Sequence, residues 1–238
     1  MTKQRLSKFL AAAGVASRRA AETLIFDGRV AVNGETVIVP QTLVDPEVDK
    51  VTVDRKRVSN SVGRLYYALN KPVGFQCTND PRIKRRAVDL IDAPKGVRLF
   101  TVGRLDKDTS GLIIVTNDGH FANKIMHPSG GIKKEYIAKV DREITHEHLV
   151  ALSKGCDVED VHVRPVRVAK IRRGTVRIVV QEGRRHEVRE MLSAVGFTVL
   201  ELKRVRVGQL SLGSLPEGQA RAINPEEVFP RTQPSQTE

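Results

Sequence analysis

Two carboxylates stand two residues apart in 103-GRLDKDTSGLIIVTNDG-119, where Asp106 and Asp108 lie between Gly103 and Gly111 and run into the apolar stretch Leu112–Val115. A carboxylate beside apolar packing is costly unless it is paired, hydrogen-bonded or used. A calcium loop would take Asp106, Asp108 and Ser110 as ligands, but Asn117 stands where the closing bidentate glutamate belongs and both flanks lack the required helices. Phosphoryl transfer through an aspartyl nucleophile and magnesium needs the apolar strand before the acids, and no later acidic cluster offers metal ligands. Side chains that cap a turn and satisfy backbone N–H groups suit Asp108, Thr109 and Asn117. Asp106 stays open between that capping role and chemistry.

The elements that must position this acid can be read from periodicity. Leu6, Phe9, Leu10 and Ala13 recur at helical spacing over 3–13, with Gly14 as C-terminal cap. Ser17 caps a second helix with Ala20, Ala21, Leu24 and Ile25 as its buried stripe, stopped by Gly28. Alternation around Asn33-Gly34 in 30-VAVNGETVIV-39 predicts a hairpin, because both turn positions need positive φ. A short strand at 51–54 precedes a polar linker at 55–64. Beyond it, 65-LYYALNKPVG-74 is expected to be a strand ending in a Pro-Gly loop, with further strands at 112–116, 135–140, 161–168, 174–180 and 198–207, and helices near 118–127, 145–154 and 186–195. Short polar turns between successive strands favour a mixed, mainly antiparallel α+β domain.

The 238 residues carry 40 Lys and Arg against 28 Asp and Glu, a net charge of +12. That surplus favours a polyanionic partner, most often nucleic acid. The charge is concentrated in 82-RIKRR-86, in 203-KRVR-206 and in residues 161–190, which hold nine Lys or Arg and three Glu. No apolar run reaches the roughly 18 residues of a membrane span, and Lys3, Arg5 and Lys8 break any leader pattern. Cys77 and Cys156, without CxxC spacing, point to neither a disulfide framework nor a zinc site. A cytoplasmic, monomeric protein with a largely aliphatic core is expected, with a disordered tail at 231–238.

The ordered motifs carry two resemblances. The segment RLSKFLAAAG-x-ASRRAAE-x-LI-xx-GRVAVNG, within residues 3–45, resembles the small RNA-binding domain named after ribosomal protein S-four. The rest is similar to pseudouridine synthases of the RsuA type: GRLD-x-D-T-SGL-x-x-x-TNDG followed by MHPS, with KPVG at 71–74, KKEY at 133–136, EGRRHEVREML at 182–192 and LKRVRVGQLSLGSLPEG at 202–218.

These resemblances imply a domain at 1–60 that binds structured RNA and a catalytic domain at 61–230, acting on one uridine of ribosomal RNA, free or in an assembly intermediate, without metal or nucleotide cofactor. They assign catalysis to Asp106, as nucleophile at the sugar or as abstractor of a sugar proton. Arg189 is implied to pair with that aspartate, and Tyr136 to stack on the target base and serve proton transfer at C5. Arg104 is implied to wedge into the gap left by the flipped base. RNA contacts are expected from Lys3, Arg5, Lys8, Arg18, Arg19 and Arg29, and from Lys71, Lys134, Arg184, Arg185 and His186. Gly103 and Gly111 are expected to let the loop approach RNA closely. Glu190 departs from the basic residue usual after Arg189 and could compete for it. EY in KKEY and EV in RRHEVREM look more like the large-subunit branch; the small-subunit branch and a catalytically idle RNA-binding protein are the alternatives.

Overall fold

The computed structural model describes residues 3–58, 63–94 and 96–229, which fall into two compact units. The first holds the chain up to Leu65, with Ala93–Leu99 and Asn117–Gly119; the second holds the remainder. The tail at 231–238 and residues 59–62 of the expected linker lie outside the described residues.

In the first unit, helices α1 (Leu6–Ala12) and α2 (Arg18–Phe26) form where the apolar spacing places them. The Ser17 hydroxyl accepts the Ala20 N–H at 3.1 Å and caps α2. Val30–Val32 and Glu35–Thr36 pair around Asn33 and Gly34, both at positive φ. Leu6, Phe9, Leu10, Ala21, Ile25, Val30, Val44 and Val51 close the core, each large side chain stabilising by roughly 1.5–3 kcal/mol.

Three local expectations fail here. Ala20 is exposed, because Ala21 and Ile25 define the buried face of α2. Gln4–Arg5 is a short strand beside Leu43–Val44 rather than the first turn of α1. Lys56–Arg57 is a strand on Val51–Val53 and not linker, reached through Asp54 and Arg55 at positive φ. A two-residue turn without glycine leaves little trace in a sequence.

The second unit is built on strands β1 (Tyr66–Lys71), β2 (Ser110–Thr116), β3 (Lys134–Val140), β4 (Arg167–Arg172), β5 (Thr175–Val180), β6 (Val199–Val207) and β7 (Ala220–Ala222). They lie in the order β4-β5-β3-β6-β2-β1-β7, with Phe100–Val102 added beside β2 and Leu210–Ser211 beside β6. Only the β2–β6 pair is parallel among these ladders, so the sheet is mixed and mainly antiparallel. Helices α3 (Gly119–Met126), α4 (His146–Lys154) and α5 (Glu187–Ala194) complete the α+β architecture.

The expected strand at 161–168 is divided. Val161–Val163 pairs with Cys156–Val158, and β4 begins only at Arg167. Pro165, between them, has no N–H to continue a ladder.

The apolar run after the two aspartates is now explained. Leu112–Val115 lies in the middle of the sheet, and none of the four is more than 1% exposed. Leu112 and Ile114 pack with Phe121 and Ile125 of α3 and with Val207 and Leu210. One transverse row of register partners runs Lys71, Gly111, Arg204, Tyr136, Ile178 across five strands.

Candidate active site

The loop between Gly103 and β2 is held from beneath by the segment that follows β1. The Gly74 N–H donates to Lys107 O at 2.7 Å, and the Leu105 N–H to the Cys77 sulfur at 3.3 Å. Within the loop, the Thr109 N–H closes on Asp106 O at 3.1 Å. Gly111 has φ +104°, and a Cβ there would lie 2.2 Å from Arg204 O. Its glycine therefore serves the close approach of β2 to β6. Gly103 also has positive φ but faces open space.

Lys71, expected to contact RNA, is turned inward. It is fully buried, and its ammonium donates to Pro72 O at 2.8 Å and Phe75 O at 2.9 Å. Burial pushes its pKa down, partly offset by the acidic groups of Cys77, Asp108 and Asp106. The lysine of KPVG thus folds the supporting loop and places a positive charge behind the acids.

A cleft of about 820 Å³ opens beside the loop, lined by Arg104, Leu105, Asp106, Lys134, Tyr136, Arg184, Arg185, His186, Arg189, Leu202 and Arg204 among others. The expected partner of Asp106 is exchanged in this cleft. Arg189 lies on Asp108, its Nη2 3.0 Å from Oδ2, and donates to Asp108 O at 3.2 Å and to the Thr109 hydroxyl at 3.4 Å. His186 takes the place on Asp106, with Nε2 3.3 Å from Oδ1. The reason is positional: His186 is the N-cap of α5 at φ 55°, and that left-handed conformation directs the ring to the loop. Among the described residues no ion pair joins Glu190 to Arg189.

Tyr136 stands on β3 at the cleft wall, 9% exposed. Opposite it on β6 is Arg204, 4% exposed, whose Nε donates to Leu112 O at 2.8 Å and whose Nη1 donates to the Tyr136 hydroxyl oxygen at 3.4 Å. Sequence reasoning counted Arg204 only in a basic run; its alternation with Leu202 on a strand was the available signal. Lys134, half-buried, donates to the carbonyls of Gln181 and Glu182, and burial followed by the nearby Arg204 charge pushes its pKa down. Glu187, at the start of α5, is 4% exposed and accepts the Arg184 N–H at 3.1 Å; burial pushes its carboxyl up.

The remaining cations sort by what holds them. Arg104 and Arg185 are exposed in the cleft lining, whereas the Arg184 Nε lies 2.8 Å from Glu182 Oε2. In the first unit Lys3, Arg5, Lys8, Arg18 and Arg19 are exposed. Arg29 is exposed too, but its Nε donates to Asp54 at 2.8 Å and much of its charge is met within the protein. In 82-RIKRR-86, Arg82 is occupied by Asp80 and Arg86 by Asp89. Among the described residues, no helix is long and apolar enough to cross a membrane.

An acid on a braced loop, a buried tyrosine across the cleft and cations around both define an enzyme acting on a nucleic acid, fused to a small basic module. Residues 65–194 match the family model for RNA pseudouridylate synthase, and residues 4–50 match the S4 domain. The chain belongs to the RNA pseudouridylate synthase family and is an RNA pseudouridine synthase carrying an S4 domain. It is 38% identical to the ribosomal large subunit pseudouridine synthase B of Bacillus subtilis, over 94% of each chain. It is 49% identical to a putative ribosomal large subunit pseudouridine synthase, chloroplastic, of Arabidopsis thaliana, covering 89% of this chain but only 56% of that protein. A crystal structure of a pseudouridylate synthase superposes with a TM-score of 0.68 at 29% identity, covering 94% of this chain and 98% of that one.

Proposed function

We propose that this chain isomerises a uridine of large-subunit ribosomal RNA, with Asp106 as the working acid and without a cofactor. The reaction breaks the N1–C1′ bond, turns the base, joins C1′ to C5, and moves one proton from C5 to N1. Nothing is oxidised and no group leaves. Asp106 acts at the sugar, by adding to C1′ or by taking a ribose proton. Tyr136 stacks on the base, and Arg104 fills the space the base vacates, since the nucleotide must leave its stack to be worked on. Arg189 acts one step removed: by gripping Asp108 and Thr109 it fixes the loop that carries Asp106. Residues 1–60 anchor the RNA, and residues 61–230 carry the chemistry.

The observation that carries this reading is the meeting of Asp106 and Tyr136 in one cation-lined cleft, in a chain that matches the Bacillus subtilis large-subunit enzyme along 94% of both lengths. The test is carbodiimide-adduct primer extension across both rRNAs after incubation with wild type or Asp106→Asn. One new stop in large-subunit rRNA with wild type alone supports the proposal. A stop in small-subunit rRNA reassigns the substrate. No stop on either rRNA, free or in assembly particles, despite tight binding, leaves an RNA-binding protein without catalysis.

A further inference from the structure

Arg204 carries a permanent charge into the interior with no carboxylate to meet it among the described residues. Buried guanidinium groups ordinarily pair with an acid, because an uncompensated buried charge is expensive. Among the described residues its partners are the Leu112 carbonyl and the Tyr136 hydroxyl, and the guanidinium carbon lies 6.0 Å from the tyrosine ring centroid. A guanidinium only donates. The Tyr136 oxygen must therefore accept, and its own O–H points elsewhere. No other partner holds that hydroxyl among the described residues, and both side chains line the cleft.

We propose that Arg204 and Tyr136 form one electrostatic unit that stabilises the departing uracil. The inference rests on the isomerisation proposed above. When the N1–C1′ bond breaks, its electron pair stays with the base, whose negative charge spreads onto O2 and O4, while Asp106 answers the electron deficiency at C1′. Tyr136 stacks on the face of that base, and Arg204, held from behind by Leu112 O and bonded to the Tyr136 oxygen, draws electron density from the ring and supplies the opposing charge. Tyr136 touches the base; Arg204 is a positioning residue that acts through it. Preorganised charge of this kind is most effective in a site that excludes water. Gly111 makes the arrangement possible, because only a residue without Cβ lets β2 pass against the backbone of Arg204.

The test uses the full chain in single turnover, with large-subunit rRNA transcripts carrying uridine or 5-fluorouridine, and consumption of the target nucleoside read by mass spectrometry. Fluorination makes uracil a better leaving group that needs less help. Arg204→Gln is expected to slow uridine conversion about 100-fold, the scale for losing one preorganised donor, with RNA affinity changed less than about threefold. The deficit should shrink to about tenfold on 5-fluorouridine. Combining Arg204→Gln with Tyr136→Phe should add little to either single loss, as for residues acting as one unit. Equal deficits on both substrates, additive losses, or a loss explained by weaker binding would overturn the inference. Should Arg204→Gln melt below the assay temperature, Arg204→Met, which fills the buried space without a charge, is read in the same way; a substrate-dependent loss supports the unit, and wild-type rates on both substrates overturn it. Failure of the wild type to convert uridine defeats the proposed function itself, whereas an active wild type with equal deficits defeats only this step.

Discussion

The imidazole of His186 stands 3.3 Å from the carboxylate of Asp106, Nε2 to Oδ1, while the guanidinium of Arg189 lies on Asp108. The two carboxylates of the loop are thus held by two groups of one short segment. A histidine held at positive φ to make this contact carries backbone strain.

Replacing His186 by glycine should therefore move stability and activity in opposite directions. Relief of the left-handed backbone is worth about 1 kcal/mol, read as a higher urea midpoint. Loss of the group that orients Asp106 should slow single-turnover conversion by about tenfold to 100-fold with RNA affinity little changed. A variant that is both less stable and fully active would show that the contact is incidental.

Gly111 and Gly103 should respond very differently to alanine. At Gly111 the new Cβ would lie 2.2 Å from Arg204 O, so either the β2–β6 pairing shifts or the domain does not fold. At Gly103 the space is open and only the positive φ is penalised, about 1 kcal/mol. Thermal melts and yields of soluble protein separate the two. Equal, mild losses would mean that the sheet yields locally at Arg204.

Glu187 should make stability depend on pH in a defined sense. Burial raises its folded pKa, so the ionised form is penalised in the native state. The penalty is complete above the folded pKa, fades between the two values, and vanishes below the unfolded value, where both states hold the proton. Glu187→Gln, whose amide oxygen can still accept the Arg184 N–H, should be more stable than wild type near pH 7. Its advantage should shrink as the pH falls toward about 4. Urea melts across this range check the trend, and an advantage that grows with acid would contradict it.

The edge strand β4 gives a prediction for RNA affinity. Arg167 and Arg172 are exposed and have no carboxylate partner among the described residues, whereas Lys170 pairs with Glu143. If the edge lies on RNA, Arg167→Gln and Arg172→Gln should each lower the slope of log affinity against log salt by about 0.7, and Lys170→Gln by less. Slopes unchanged by either arginine would place this edge outside the RNA footprint.

Periodicity and turn chemistry carried most of the fold because they are local. The helix stripes, the Ser17 cap, the Asn33-Gly34 hairpin and the buried strand after Asp108 each follow from a few adjacent residues. Elements failed where the local signal was weak or divided, as at Asp54-Arg55 and Pro165.

By itself the sequence determined the α+β class and the order of motifs that marks the family. Which charges meet was decided only in three dimensions. Nothing in 182-EGRRHEVREML-192 says that His186 rather than Arg189 reaches Asp106, because that choice depends on how the first turn of α5 meets the loop. Lys71 and Arg204 look like surface cations in basic or loop-like sequence, yet both are buried, one against two carbonyls and one against a carbonyl and a phenol. Residue type records which charge a side chain carries; desolvation and the partners that offset it come from strands far apart in the chain.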